Sequence, residues 1–233
     1  MSKLYARLIG FFIALALAGT VLAADAWRAK DYKQWDSKDV DKILNDSPWV
    51  KVVQIGKYWT TPRAPGATPA EGGPPPTGST GAASTYTVRW TSAVTMHHAV
   101  ARNAELNKQG STDDAEQYAN AISDTYDIAV IGDTIPLGAL DTTDVIAKVQ
   151  QAASLGNKDA GQSFPAVKLD LGRGPDGHTV TAITFHFAKK NADGAPIFAP
   201  DAKGADFTLK VGKFELKAHF DFTKMIGQNG LDL

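Results

Sequence analysis

The alternation of apolar and polar residues predicts a strand hairpin near the C-terminus. One face of this hairpin is apolar along both strands, at Phe207, Leu209, Val211, Phe214, Leu216, Ala218, Phe220 and Phe222. Between the strands lie Gly212 and Lys213, and a two-residue loop with glycine first is typical of a type II′ turn. This register places Asp206 opposite His219 and Lys210 opposite Glu215 on the polar face.

The same period of two predicts further short strands. They cover Val50 to Trp59, Tyr86 to Trp90, Tyr126 to Ile131, Val167 to Leu171 and Ile183 to Phe187. Several are rich in Val, Ile and aromatic residues, which favour strands. We expect them to form a largely antiparallel sheet, in which the first of these strands pairs with the second.

A helix with clear boundaries is predicted after Asp36. Asp36 is a suitable N-cap, and Trp35 before it has the spacing to pack on Val40 as a hydrophobic staple. The helix ends before Ser47-Pro48, because a proline disfavours helical geometry at the residue that precedes it. Three further helices are predicted, from Ala93 to about Asn107 with Ser92 as its cap, from Asp113 to Ser123, and from Thr142 or Thr143.

Residues 60–84 read TTPRAPGATPAEGGPPPTGSTGAAS. This Pro-, Gly-, Ala- and Thr-rich composition cannot bury apolar surface and predicts disorder. The segment is not a domain boundary, because residues 24–59 are too few to fold alone without a metal or disulfides. We therefore predict one α+β domain over residues 24–233, a largely antiparallel sheet with three to four helices packed on it, interrupted by this disordered loop.

The N-terminal 23 residues have the features of a signal peptide. Lys3 and Arg7 precede the uncharged apolar run from Leu8 to Ala18, and Val21 and Ala23 are small residues at a cleavage position. We expect a protein exported to the periplasm or beyond, with no stable membrane anchor after cleavage. The 233-residue chain contains no cysteine, which excludes disulfides and thiolate chemistry. The net charge of −1 and the absence of a basic block argue against nucleic-acid binding.

Two glycine motifs imitate catalytic or cofactor-binding signatures. Residues 172–177 match G-x-G-x-x-G, but a strand follows where the dinucleotide motif needs a helix, so a hairpin loop is the better interpretation. Gly161-Gln162-Ser163-Phe164-Pro165 resembles a nucleophile elbow but ends in proline instead of glycine. The sequence thus assigns no catalytic and no cofactor-binding residue, and no cofactor.

The histidines offer one candidate metal site. His186 and His219 lie on polar strand faces and, with Asp206 or Asp221, would form a ligand set if their strands were neighbours. Pairing of His219 with Asp206 explains the same pattern without a metal, and we favour that interpretation. His97 and His98 are adjacent on a predicted helix, which is the wrong spacing for a helical zinc pair.

The five tryptophans, Trp27, Trp35, Trp49, Trp59 and Trp90, all lie in the first 90 residues. Exposed aromatic side chains can form a platform for sugars or peptides. The alternation around Trp90 instead predicts a buried ring, and core or staple roles are the preferred interpretation.

Three short blocks resemble a family of secreted bacterial proteins of unknown function. The first is DVDKILNDSPW at residues 39–49, the second is VRWTSA at residues 88–93, and the third is residues 207–217 with FDF at 220–222. The resemblance implies an exported protein but no activity and no site residues. The sequence thus favours a non-enzymatic binding or envelope-associated protein, with an envelope protein or polysaccharide as its partner. The alternative is a metal-dependent or hydrolytic periplasmic enzyme that uses strand histidines and carboxylates.

Overall fold

Antiparallel strands form most of the fold in this computed structural model, which describes residues 25–57, 81–133, 135, 137, 142–157 and 161–233. In chain order the strands are β1 (Val50–Lys57), β2 (Gly81–Trp90), β3 (Thr125–Ile131), β4 (Ala153–Asn157), β5 (Gln162–Pro165), β6 (Lys168–Arg173), β7 (Val180–Ala188), β8 (Gly204–Val211), β9 (Phe214–Asp221), β10 (Ile226–Gly227) and β11 (Gly230–Leu231). A five-stranded sheet has the order β1-β2-β3-β7-β6, a four-stranded sheet the order β5-β4-β8-β9, and β10 pairs with β11. Every pairing among the described strands is antiparallel.

Five α-helices are present in the described residues. They are α1 (Ala26–Ala29), α2 (Ser37–Asn45), α3 (Val94–Leu106), α4 (Thr112–Ala119) and α5 (Thr143–Gln151), and a 3₁₀ turn covers Tyr32–Gln34. Together with the sheets they confirm the predicted α+β fold, with more helices than the three to four expected. None of the helices in the described part of the chain is long and apolar enough to cross a membrane.

Aromatic side chains from the two large sheets meet in one core. The ring of Phe185 on β7 lies 5.6 Å from that of Phe207 on β8, centroid to centroid. Trp90 at the end of β2 contacts Phe220 of β9 edge to face at 5.2 Å. Aromatic pairs in this geometry add to the stabilisation that comes from burying their area. The inward faces of both sheets therefore form one continuous hydrophobic core.

The predicted C-terminal hairpin is confirmed residue by residue. Asp206 is the partner of His219, and Lys210 is the partner of Glu215. Gly212, the first loop residue, has a φ of +58°. Lys213, the second, does not have a positive φ, because Lys108 is the only non-glycine residue with one in the described ranges. Positive φ at the first loop position alone is the signature of a type II′ turn.

The first predicted helix is also confirmed with its cap. The carboxylate of Asp36 accepts the backbone N–H of Lys38 and of Asp39. The side chain of Asp39 in turn accepts the backbone N–H of Asp36, which completes a capping box. Trp35 and Val40 are both buried, as the staple spacing predicts. Residues 37–45 therefore begin and end close to the predicted positions.

The N-terminal segment packs against α3 and the C-terminal end as well as against the β-sheet. Arg28 donates from its guanidinium to the carbonyl oxygens of Ile226 and Lys224, both at 3.1 Å. Arg102 on α3 donates to the carbonyl of Trp35 at 2.9 Å. Strand β1, which follows this segment, pairs with β2 as predicted. The first residues of the described chain thus join its last residues on one side of the fold.

The predicted boundary between the disordered loop and β2 is wrong, and the helix predicted from Asp113 to Ser123 ends at Ala119. Residues 81–84 fall in the predicted disordered loop, yet they belong to β2, where Ser84 pairs with Ile55 and Gly81 with Lys57. The low-complexity composition hides this, because small residues satisfy a strand ladder through their backbone alone. The remainder of that loop, and Trp59 at the predicted end of β1, lie outside the described residues.

Ser92 does not cap α3. The helix begins at Val94, and its N-cap position, Ala93, has no side chain to accept a hydrogen bond. The hydroxyl of Ser92 instead accepts the backbone N–H of Asp127 at 3.2 Å. A carboxylate from the far end of the chain, Asp232, takes the N–H groups of Val94 and Thr95 at 2.7 and 2.9 Å.

Candidate functional site

The predicted pair of His219 and Asp206 lies on the solvent-facing side of the four-stranded sheet. The Nδ1 atom of His219 is 2.8 Å from Oδ1 of Asp206, and the histidine side chain is 61% exposed. The carboxylate of Asp221, the other candidate ligand, accepts the N–H and hydroxyl of Thr223 and lies 3.5 Å from Lys224 Nζ. Asp206 and His219 are thus explained by mutual pairing on the sheet surface.

His186 lies in the other sheet and is held between two carboxylates. Its Nδ1 is 2.8 Å from Oδ1 of Asp127 on β3, and its Nε2 is 3.0 Å from Oδ2 of Asp170 on β6. Carboxylate oxygens only accept, so both contacts are hydrogen bonds when both ring nitrogens carry protons. The carboxylate of Asp170 is also paired with Lys168 at 2.8 Å, and this hydrogen bond, followed by that to His186, lowers the pKa of Asp170.

These positions do not converge on a common metal site. His186 is on β7 of the five-stranded sheet, whereas His219 is on β9 of the four-stranded sheet. In the described part of the chain, no group of three or more histidine and carboxylate side chains has the placement to hold a metal ion. Both nitrogens of His186 already face carboxylates, so the ring would have to lose a hydrogen bond to bind a metal.

Among the described residues, the network around His186 also contains no serine hydroxyl that is hydrogen-bonded to the histidine as a nucleophile to its base. Ser123 donates its hydroxyl proton to Oδ2 of Asp127 at 2.9 Å, not to the imidazole of His186. A serine hydrolase needs the serine hydroxyl bonded to the histidine, which the carboxylate orients from the other side. Ser163 of the elbow-like motif lies within strand β5. Residues 172–177 cover the end of β6 and the start of the hairpin loop, residues 174–179, that connects it to β7, so the predicted hairpin is confirmed.

The same network borders a cleft of about 300 Å³, which we call the α4–β3 cleft. Its walls come from α3, α4, the connection from α4 to β3, and the outward faces of β3 and β7. The side chains that line it include His97, Tyr118, Ile122, Ser123, Asp127 and Thr184. This volume is at the lower end of the roughly 300–1,000 Å³ typical of small-molecule sites.

Asp127 is the acidic group of the cleft, and its orientation is fixed. Oδ1 accepts from Thr125 Oγ1 at 2.6 Å and from His186, while Oδ2 accepts from Ser123. A carboxylate has about four acceptor positions, so one position remains for a ligand. The side chain is 15% exposed, which leaves this position reachable from the cleft.

Tyr118 forms the aromatic part of the cleft. Its side chain reaches solvent, since the residue is 42% exposed, while one side of the ring packs against His97 at 4.9 Å between centroids. Partial burial, and then the negative charge of Asp127, raise the pKa of the Tyr118 phenol. The hydroxyl therefore remains protonated and can donate a hydrogen bond at neutral pH.

The two adjacent histidines have different environments. His97 is buried, and its Nδ1 lies 3.0 Å from the carbonyl oxygen of Ala121. A carbonyl only accepts, so Nδ1 carries a proton, and Nε2 is an acceptor when the ring is neutral. His98 instead stacks on Tyr32 at 4.2 Å, and its burial lowers its pKa.

The tryptophans do not form an exposed platform in the described residues. Trp27, Trp35, Trp49 and Trp90 are all at most 3% exposed. Trp27 and Trp35 border a smaller cavity of about 130 Å³ together with His98 and the C-terminal β10–β11 turn. Trp59 lies outside the described residues.

Sequence reasoning did not identify the α4–β3 cleft. Asp127, Ser123 and Tyr118 lie within ten residues of one another but on a helix, a connection and a strand, so no fixed spacing links them. Ile122 is the one local signal, because an isoleucine among Ala121, Ser123 and Asp124 has no apolar stripe to join. It is 89% exposed in the structure, at the edge of the cleft.

Comparisons with known proteins add no assignment to this geometry. No family model matches the chain, and neither a curated protein nor a solved structure is significantly similar to it.

Proposed function

We propose that this chain is an exported protein of the periplasm or the extracellular space that binds a component of the cell envelope and catalyses no reaction. The positively charged start at Lys3 and Arg7 and the apolar run after it support export. The likeness of residues 39–49 to the start of secreted bacterial proteins supports the same proposal, together with membership in that family.

The proposal that the protein catalyses no reaction rests on the hydrogen-bond network around His186. Each of its ring nitrogens faces a carboxylate, and the nearby hydroxyl of Ser123 also bonds to Asp127. Such a network fixes three strands but leaves neither a free base nor an activated nucleophile. The α4–β3 cleft beside it offers polar contacts for binding, which favours recognition over turnover.

Export is tested by producing the full chain with a C-terminal tag and separating periplasm, cytosol and membranes. We expect a processed protein in the periplasmic or extracellular fraction, and its N-terminal sequence should begin at Ala24. Cytosolic protein that still begins at Met1 would refute export. A lysine pair substituted into the apolar run is the matched control and should block processing.

Binding is tested by sedimenting the purified mature protein with isolated envelope fragments. Saturable co-sedimentation is expected, and linear, non-saturating retention would contradict the proposal. Turnover of ester, phosphoester or glycoside substrates that is abolished in His186→Gln but retained in His219→Gln would instead favour the enzymatic alternative.

A further inference from the structure

The α4–β3 cleft combines groups that recognise hydroxyl-rich neutral molecules. Four of its side chains carry hydroxyls, on Thr91, Tyr118, Ser123 and Thr184, and each hydroxyl can both donate and accept. The hydroxyl of Thr91 already donates to the backbone carbonyl of Asp127 at 3.1 Å. Within the described ranges, the hydroxyls of Tyr118 and Thr184 have no hydrogen-bond partner. They are therefore available to a ligand at no cost in protein hydrogen bonds.

Two acceptors complement these hydroxyls. Asp127 keeps one acceptor position free, and Nε2 of His97, which is 7% exposed, has no partner in the described part of the chain. Nε2 is not among the fully buried side-chain atoms that lack a partner, so it can be reached from the cleft and can accept a hydrogen bond from a ligand when the ring is neutral. Both acceptors suit the hydroxyl protons of a ligand.

The charge of the cleft argues against a cationic ligand. Asp127 already accepts from His186, and Lys189 donates to the carbonyl of Ser123 at 2.9 Å beside the cleft. The other polar side chains named in its lining are neutral hydroxyls and His97. A ligand cation would therefore find one acceptor position on Asp127, with the Lys189 ammonium beside the cleft, whereas a neutral molecule with several hydroxyls would pair with all of these groups.

The apolar edge of the cleft supplies the remaining contact. The half-exposed ring of Tyr118 and the exposed side chain of Ile122 leave apolar area in water beside the polar groups. The C–H face of a sugar ring would cover this area while its hydroxyls reach Asp127, His97 and Thr184. Apolar packing on one side and convergent polar groups on the other are the usual composition of a small-molecule site.

We propose that the α4–β3 cleft binds one sugar unit of an envelope polysaccharide, with Asp127 and His97 as acceptors and Tyr118 as the ring contact. This inference rests on the proposed envelope-binding function and specifies its ligand class. The small volume restricts the bound portion to one sugar ring, so the affinity for a free monosaccharide should be on the order of millimolar.

The test is titration of the purified mature protein with free sugars, observed by NMR. The probes are glucose, galactose, ribose, N-acetylglucosamine and glucuronic acid, each to about 50 mM, which spans weak binding. We expect at least one to shift amide signals of residues 118–123 saturably. The control probe is n-butylammonium, a cation of similar size, which should leave those signals unchanged.

Two variants each remove one proposed contact to the sugar and leave no unpaired buried charge behind. Tyr118→Ala should weaken sugar binding by about tenfold, from the loss of an aromatic contact. Thr184→Val should weaken it severalfold, because the change removes one hydroxyl and keeps the side-chain shape. Thr87→Val is the matched control, since Thr87 lies on β2 of the same sheet away from the cleft. It should bind as the unchanged protein does, and circular dichroism checks that all three variants fold.

Several results would overturn the inference. They are the absence of a saturable shift with every sugar, an unchanged sugar affinity in both Tyr118→Ala and Thr184→Val, or tighter binding of n-butylammonium than of any sugar. Envelope co-sedimentation separates this failure from that of the proposed function. If both cleft variants still co-sediment as the unchanged protein does, envelope binding stands and the cleft is not its site.

Discussion

The indole Nε1 of Trp49 donates a 2.7 Å hydrogen bond to the backbone carbonyl of Asp232, which lies 183 positions later in the chain. The carboxylate of the same aspartate accepts the first two backbone N–H groups of α3. One residue near the C-terminus therefore fixes both the tryptophan that follows α2 and the beginning of α3. The N-terminal segment, α3 and the C-terminal β10–β11 pair are joined at this point.

Substitution of Asp232 by alanine should destabilise the protein by about 1–2 kcal/mol, the usual cost of a lost helix N-cap. The variant keeps the backbone carbonyl that Trp49 uses, so it isolates the cap from the indole hydrogen bond. Trp49→Phe makes the complementary change, since it removes the N–H donor and keeps an aromatic ring. Urea-induced unfolding measures both losses.

The matched control for the cap is Asp201→Ala. Asp201 is exposed and makes no hydrogen bond or ion pair with the described residues, so its loss should change the free energy of unfolding by less than about 0.5 kcal/mol. Equal effects of Asp232→Ala and Asp201→Ala would mean that the carboxylate does not stabilise α3.

The cap of α3 also marks the limit of what the sequence predicts. The hairpin register and the α2 cap depend on neighbours within a few residues, so period and turn chemistry were sufficient for both. Ser92 had the right residue type for a cap, but the helix begins at Val94, one residue later than predicted, and the carboxylate of Asp232 accepts its first two N–H groups. The network around His186 likewise needs three strands in known order, and strand order is not written in local periodicity.

Shortening residues 58–80 to about five residues should stabilise the fold slightly. Lys57 pairs with Gly81, so the segment closes a loop between two paired strands, and a shorter loop loses less entropy on closure. The logarithmic dependence predicts about 1 kcal/mol, or a rise in melting temperature of about 2–4 °C. Residues 81–84 must be retained because they belong to β2.

Thermal unfolding followed by circular dichroism measures this change. A variant with the same length and a shuffled order of residues 58–80 is the control and should melt with the unchanged protein. A fall of more than about 5 °C in the shortened variant would show that the segment makes stabilising contacts.

His98 should make the stability depend on pH near neutrality. Burial lowers its pKa in the folded state, an effect that the nearby Asp232 and Asp31 only partly oppose. The unfolded chain therefore binds a proton at a higher pH than the native protein does. The stabilisation is complete above about pH 6.5, the ordinary value for histidine, and is lost as the pH falls through the folded pKa.

His98→Phe tests this contribution, because phenylalanine keeps a ring against Tyr32 and cannot titrate. The free energy of unfolding, measured in urea from about pH 8 to pH 5, should fall less steeply in this variant than in the unchanged protein. His178→Gln changes an exposed histidine and should keep the original slope. Parallel curves for all three proteins would contradict the prediction.

Equilibrium dialysis against zinc or copper should leave less than about a tenth of an equivalent of metal on the purified protein. The reason is geometric, since His186 and His219 belong to different sheets and each already pairs with a carboxylate. One equivalent of bound metal that disappears in both His186→Gln and His219→Gln would refute this reasoning.

The two histidine–aspartate pairs have the same distance between their paired atoms but differ in how exposed they are. His186 Nδ1 to Asp127 and His219 Nδ1 to Asp206 are both 2.8 Å, but the His186 side chain is 17% exposed and that of His219 is 61% exposed. Solvent screens the exposed pair, and surface ion pairs contribute at most about 1 kcal/mol. The less exposed pair joins β7 to β3, and the other ring nitrogen of His186 faces Asp170 on β6.

His186→Ala should therefore lower the free energy of unfolding by about 1–3 kcal/mol, because it leaves Asp127 without one of its donors inside the network. His219→Ala, the matched control, should lower it by less than about 1 kcal/mol. Urea unfolding of both variants at neutral pH gives the comparison. Equal losses would mean that the less exposed pair of His186 stabilises the fold no more than the exposed pair of His219 does.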